Sequence, residues 1–311
     1  MHATINPRMR RIIQEVSRAD ITMCWTCSSC DGECPMNIAT QRLRPQKIVR
    51  LANLGLVEDL LSLPEIWYCL TCRRCNRVCP NLVKPETLVR YARTAAVLGG
   101  YVPYETGREY YELIRRFQRV RWQAARICMQ SDLGEIEGVQ WGQCLETPVS
   151  ESLACVSSNA FFNYADSLKE DSKTAGLHSC STCGECSSVC PVAGERSVFD
   201  PRFIFRMVHL GLTDELLRSP SIWLCLACGR CTDACSQQVD GCGMIRRLQE
   251  ISVQEAIVAE GFKWRWQNAQ KIIYSRLIEQ IDALFGTVPK TSRLPQSPEF
   301  LLEKVVVATD L

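Results

Sequence analysis

Residues 24–35 read CWTCSSCDGECP, and residues 66–80 read IWYCLTCRRCNRVCP. Each stretch spaces four cysteines as C-x2-C-x2-C-x3-C: Cys24, Cys27, Cys30 and Cys34 in the first, Cys69, Cys72, Cys75 and Cys79 in the second. The pattern returns at Cys180, Cys183, Cys186 and Cys190, and again at Cys225, Cys228, Cys231 and Cys235. Adding 156 to any cysteine of the first two runs lands on one of the last two. The same offset carries Pro35 to Pro191, Pro45 to Pro201, Arg50 to Arg206, Gly55 to Gly211, Pro64 to Pro220, Ile66 to Ile222 and Trp67 to Trp223. Self-similarity at one fixed offset over about 60 residues means that a single module has been written twice.

The stretch between the two runs of each module reads as helix. Pro45 and the Asp200-Pro201 pair stand where a first-turn proline and an N-cap belong. Ile48, Leu51 and Ala52, and likewise Ile204, Met207 and Val208, follow at helical spacing, and Gly55 and Gly211 supply stops. A second short helix is expected over Glu58–Ser62 and Asp214–Arg218, and longer ones over Glu86–Leu98 and Arg108–Met129. Strand-like alternation is scarce, so the expected fold is all-α, with two tandem dicluster modules and helical extensions. The expected divisions are a first module over 1–130, a linker over 131–158 rich in Gly, Ser and acidic residues, a second module over 159–285, and a tail over 286–311.

Composition narrows the chemistry. The 311 residues include 20 cysteines but only three histidines, and there is no C-x-x-C-H, which disfavours haem attachment and Cys/His zinc sites. The N-terminus lacks a secretory pattern, so a cytoplasmic protein touching membranes only through a partner is expected, with thiolates acting as metal ligands and not as disulfides. No run of 18 uncharged apolar residues appears, and a net charge of +2 points away from nucleic acid as a main partner. The charge is uneven: residues 1–130 sum to +9 and residues 131–311 to −7. Positive charge favours the reduced state of a redox centre, so the first module is expected at the higher potential.

A cubane [4Fe–4S] cluster offers four irons at tetrahedral corners, each needing a thiolate. Two-residue spacers let one loop reach three corners, and the fourth ligand comes from elsewhere. In the two-cluster pattern the fourth cysteine of a run ligates the other cluster. The expected sets are then Cys24, Cys27, Cys30 with Cys79; Cys69, Cys72, Cys75 with Cys34; Cys180, Cys183, Cys186 with Cys235; and Cys225, Cys228, Cys231 with Cys190. Four clusters follow. Structural zinc prefers paired C-x2-C units over a triple spacing with a distant fourth thiolate. Pro35, Pro80 and Pro191 follow a fourth cysteine, whereas Ser236 breaks the pattern. Cys128, Cys144, Cys155 and Cys242 fall outside the runs and are expected as buried free thiols.

The stretches CWTCSSCDGECP, LRPQKIVRLANLGL and IWYCLTCRRCNRVCP resemble the C subunit of heterodisulfide reductase and related α-helical ferredoxin subunits. The second-module stretches CSTCGECSSVCP, DPRFIFRMVHLGL and IWLCLACGRCTDAC resemble the same family. The likeness covers about 24–85 and 180–240 and implies a helical dicluster fold. It also implies electron passage between a flavin-containing subunit and a cysteine-rich catalytic subunit. Two fused modules depart from the usual single one. An iron–sulfur subunit of a flavin-linked dehydrogenase, of glycolate or glycerol-phosphate type, is the runner-up, and a redox-sensing protein is a third reading. The sequence holds no Cys-Cys pair, no phosphate loop and no G-x-G-x-x-G, so no catalytic residue is expected in this chain. The Arg108–Arg126 helix, with Arg115, Arg116, Arg119 and Arg121, is expected as a solvated face, with docking on an acidic partner as the alternative.

Overall fold

A computed structural model of the chain describes residues 5–130, 134–147, 149 and 176–286. The tail after 286, most of the expected linker and Cys155 lie outside the described residues. Among the described residues there are helices and no strands, and no helix is long and apolar enough to cross a membrane.

Each module is built from the same elements at the same offset. Helix Pro45–Asn53 corresponds to Pro201–His209, Ser29–Gly32 to Glu185–Ser188, and Pro85–Leu98 to Gly241–Gln254. In the expected places, Pro45 and Pro201 occupy the first turn, and Gly55 and Gly211 stop the helices with φ of 71° and 77°. Gly55 is also sterically obligatory: a Cβ there would sit 2.0 Å from the Asn6 carbonyl oxygen. Its neighbour Leu54 accepts a hydrogen bond from Asn6 N–H, which ties the first helix, Pro7–Ser17, to this turn.

The expected helices over Glu58–Ser62 and Asp214–Arg218 appear at Val57–Leu61 and Thr213–Arg218. Around the inserts, Pro45–Asn53 packs on Val57–Leu61 and Pro85–Leu98, and in the second module Pro201–His209 packs on Thr213–Arg218 and Gly241–Gln254. Ile48, Val49 and Ala52 on one side and Ile204, Phe205 and Val208 on the other fill the cores. Burying such side chains contributes about 1.5–3 kcal/mol each.

Two long helices, Tyr104–Gln130 and Phe262–Gly286, extend the repeat, for their last residues also stand 156 apart. The chain divides into two compact units, and each long helix is shared between them. The first unit takes residues up to Glu112 together with those from Tyr274 onward; the second is Leu113–Ile273. Within the first unit, Phe285 packs on Trp67 at 4.6 Å, and Arg42 pairs with Asp282 at 3.1 Å. In the second, Trp223 meets Phe262 at 4.3 Å, and the Arg121 guanidinium donates to the Leu224 carbonyl at 2.8 Å. Two short helices, Gly134–Glu137 and Trp141–Glu146, lie within the stretch expected as linker, with Ile136 and Trp141 buried.

The arginine-rich helix departs from expectation. Arg121 is buried, and Arg119 and Arg115 both pair with Glu195, at 3.0 and 2.7 Å. Arg119 also donates to the Leu145 and Glu146 carbonyls. Three of the four arginines thus serve internal packing, and Arg116 alone is exposed. Periodicity could not reveal this, because the acceptors lie 26 to 103 positions away in sequence.

Candidate metal centres

All four cysteine runs adopt one backbone shape. The second and fourth residues after the first cysteine are left-handed in every run: Thr26 and Ser28, Thr71 and Arg73, Thr182 and Gly184, Ala227 and Gly229. Two left-handed residues flanking the second cysteine curl the segment into a tight loop. Alternation of this kind turns backbone N–H groups inward, making a concavity suited to anions and to iron–sulfur groups. The Thr71 N–H reaches the Cys69 sulfur at 3.3 Å, and the Ala227 N–H reaches that of Cys225 at 3.4 Å. A short helix then begins at once, at Ser29, Arg74, Glu185 or Arg230, and carries the third cysteine. Cys34 and Cys79 sit in extended backbone, as a following proline demands.

The helix after one run packs against the helix after the other: Ser29–Gly32 on Arg74–Val78, and Glu185–Ser188 on Arg230–Asp233. In the first module Arg74 clamps this contact through Glu33 at 3.1 Å. With this packing the fourth cysteines Cys34, Cys79 and Cys190 stand at the other run's loop. One cavity is lined by Cys69, Cys72, Cys75 and Cys34, with Met36, Leu43, Ile48 and Val89 as apolar walls. A second is lined by Cys24, Cys27, Cys30 and Cys79. In the second module Cys225, Cys228, Cys231 and Cys190 line a third. For the remaining set, the Gly176 backbone before Cys180 lies against the Gln238 carbonyl beyond Cys235, within 3.4 Å of where a Cβ would be.

Among the described residues, no three His, Cys, Asp or Glu side chains converge tightly enough to hold one metal ion. In three of the sets the four cysteines line one cavity, which fits a larger inorganic body. Burial pushes the Cys34, Cys190 and Cys231 thiols up to about 12, which favours their protonated form in the absence of a stabilising cation. Cys27, exposed like its counterpart Cys183, is shifted the other way by a hydrogen bond with the Ser29 hydroxyl at 3.3 Å.

Several groups near the cavities carry no motif of their own. Glu86 is fully buried; one of its oxygens takes Arg73 Nε at 3.2 Å, and the other has no hydrogen-bond partner. Burial raises the Cys75 and Cys69 thiols, and the Glu86 charge adds to the rise of both. At the equivalent positions the second module has Gly229 and Cys242. Cys242, expected as an ordinary buried thiol, lines the third cavity as a fifth sulfur and hydrogen-bonds with Cys225. Cys128 is buried as expected, and Cys144 is half-buried. Next to Cys30, the buried Asp31 accepts from Gln46 N–H at 2.8 Å and pairs with Arg44. In the second module the same helix start is capped by Asp200, which accepts from Arg202 N–H at 2.9 Å and from the Ser187 hydroxyl. Laying one repeat over the other was the available signal for all of these.

Residues 10–83 and 176–239 match the 4Fe-4S dicluster domain family. Each module thus carries one match to this family. Among similar proteins is the C subunit of the H(2):CoB-CoM heterodisulfide,ferredoxin reductase of Methanothermobacter thermautotrophicus, 38% identical over 79 residues, or 25% of this chain and 42% of that one. The iron-sulfur C subunit of the CoB--CoM heterodisulfide reductase of Methanopyrus kandleri is 34% identical over 91 residues, covering 29% and 47%. A protein of Archaeoglobus profundus described as like the heterodisulfide reductase C subunit is 34% identical over 76 residues, covering 24% and 40%. The chain spans less than half the length of each of these three relatives. The resemblance read from the cysteine stretches is borne out, as is the all-helical tandem fold.

Proposed function

We propose that this chain is an electron-transfer subunit holding four [4Fe–4S] clusters. It passes electrons between a flavin-containing subunit and a cysteine-rich catalytic subunit of a cytoplasmic, heterodisulfide reductase-like complex. The observation that carries this reading is that three crossed cysteine sets each line a cavity of their own. Relatives named as subunits of heterodisulfide reductases support the assignment to such a complex.

A [4Fe–4S] cluster takes up and returns single electrons. The chain's residues do the rest. Cys24, Cys27, Cys30 and Cys79 hold one cluster, and Cys69, Cys72, Cys75 and Cys34 the next. Cys180, Cys183, Cys186 and Cys235 hold the third, and Cys225, Cys228, Cys231 and Cys190 the fourth. Crossed ligation keeps the paired sites of a module close together, because neither loop can withdraw without losing a ligand of its neighbour. Met36, Leu43, Ile48 and Val89 keep water from the Cys34 site, and N–H groups such as that of Thr71 stabilise bound thiolate.

Anaerobically purified protein should contain about sixteen irons and as many acid-labile sulfides per chain, by four clusters of four. Crossed ligation is tested by paired substitutions. Cys24→Ser with Cys79→Ser strikes one site in the crossed arrangement and two in an uncrossed one, so about four irons should be lost and not about eight. The pair Cys69→Ser with Cys79→Ser should give the reverse. Equal losses in both doubles would overturn the assignment.

A further inference from the structure

The two modules share their shape but differ around the loop of their first cysteine run. In the first module Trp25, between Cys24 and Cys27, is 75% exposed, Met23 is 50% exposed and Leu82 is 66% exposed. Asn81 donates to the Met23 carbonyl at 2.9 Å, which fastens the Leu82 segment to the Met23–Trp25 segment. These three side chains therefore form one apolar spot over the Cys24, Cys27, Cys30 and Cys79 cavity, beside the exposed Cys27. The equivalent residues of the second module are Ser179, Ser181 and Gln238, all exposed and all polar.

Charge follows the same division. Arg77, two residues before Cys79, and Lys84, next to the cavity-lining Val83 and Pro85, are exposed. At their places the second module has Asp233 and Asp240, also exposed. Arg44, whose side chain is 60% exposed, is matched by Asp200. Each of these basic positions of the first module is acidic in the second. Asp200 and Asp240 cap the helices that follow them, whereas Arg44 and Lys84 stand at the same N-cap positions without a side-chain cap, so the first module carries positive charge where a cap would serve the fold.

We propose that this face of the first module is the docking surface for an electron-exchange protein. That partner carries its cofactor beneath an apolar spot rimmed by carboxylates. The occupant follows from two features. Trp25 lies within the ligand loop, so whatever covers it is held against the cluster site, where electron exchange needs it. The basic rim selects an acidic counterpart and speeds its encounter. Docked this way, the partner hands one electron to, or takes one from, the cluster held by Cys24, Cys27, Cys30 and Cys79, with no bond made or broken. The inference rests on the function proposed above, whose failure would appear separately as missing iron.

The test uses the full-length holoprotein, with a reduced acidic [2Fe–2S] ferredoxin as probe and stopped-flow absorbance as readout. The triple variant R77D/L82Q/K84D takes its residues from the second module, where Gln238 has the left-handed backbone (φ 56°) that Leu82 has (φ 53°). Wild-type protein should be reduced by the ferredoxin in a second-order reaction that slows with added salt. The triple variant should react at least tenfold more slowly, while its iron content and its reduction by dithionite stay at wild-type values. Trp25→Ser should slow the ferredoxin reaction without removing its salt dependence. The proposal is overturned if the triple variant reacts within twofold of wild type, or if the wild-type rate ignores salt. It is also overturned if wild type is a dimer that the triple variant dissolves, since the face then belongs to a second copy of the chain.

Discussion

Replacing Glu86 by glutamine should raise the reduction potential of one cluster site and leave the other three where they are. Glu86 is the one carboxylate among the described residues that is fully buried, and its charge is felt by the Cys75 and Cys69 thiols. A negative charge opposes the more negative, reduced state, so removing it favours reduction. At an effective dielectric constant of about 20 and a separation of roughly 7 Å, one charge is worth about 2 kcal/mol. For a one-electron couple that amounts to on the order of 100 mV. Arg73, 3.2 Å from the carboxylate, offsets part of this in the wild type, but its side chain is 42% exposed and so screened by solvent. Arg73 keeps its charge in Glu86→Gln, so the shift is set by the lost carboxylate alone. Arg73→Gly, the residue found at 229, should act oppositely and lower the same potential by some tens of mV. The assay is an EPR-monitored redox titration of the holoprotein. A shift smaller than about 20 mV, a fall, or an equal movement of all four couples would refute the reasoning.

Iron loss to a chelator should accelerate as pH falls from about 8 to about 6, because ligand thiols must be deprotonated to bind metal. The sign follows from Cys34, Cys190 and Cys231: pushed to about 12 by burial, they take a proton as soon as iron leaves, and lower pH completes that step faster. A rate that is flat or higher at alkaline pH would contradict it. Gly55→Ala forces a left-handed backbone on alanine and drives its Cβ into the Asn6 carbonyl, so a loss of about 2–4 kcal/mol is expected, read as faster thermal unfolding with the iron content unchanged beforehand. Arg121→Met should strand the buried Leu224 carbonyl and cost about 1–3 kcal/mol, whereas Arg116→Met, on the exposed side of the same helix, should change the melting temperature little.

Much of this architecture was legible in the sequence because metal ligation constrains residue type so tightly. Cysteine spacing located the four loops, and Pro45, Asp200, Gly55 and Gly211 set the ends of the helices between them. The loop shape itself was not legible. Six of its eight left-handed positions are Thr26, Ser28, Thr71, Arg73, Thr182 and Ala227, residues that carry no glycine-like signal. Each costs about 1–2 kcal/mol in that conformation. The proposed ligand bonds would hold the backbone there and offset that cost, so the loop need not be written with glycine. The long helices were found as helices, but their division between the two units was hidden. Partners such as Phe285 and Trp67, or Arg121 and Leu224, stand more than 100 positions apart.

The duplication does more than reveal the fold, since it shows which features the cavities tolerate changing. Where the first module has Val49 and Pro85, the second has Phe205 and Gly241, and a Cβ on Gly241 would lie 2.4 Å from the Phe205 ring. Volume gained on one helix is given up on the next. The carboxylate that caps the insert helix has likewise moved, from Asp31 beside a cysteine to Asp200 at the N-cap, without the capped N–H changing place. Shape has been conserved by such paired changes. Charge has not: the half-exposed Arg73 and the buried Glu86 it pairs with became Gly229 and Cys242, and the exposed Arg77 and Lys84 became aspartates. Under the proposed function, two copies with like cysteine sets and exchanged electrostatics should hold clusters of one kind at different potentials. A chain of identical sites would give an electron no preferred direction, whereas on the proposed function this divergence separates the two modules in potential and gives the first a face of its own.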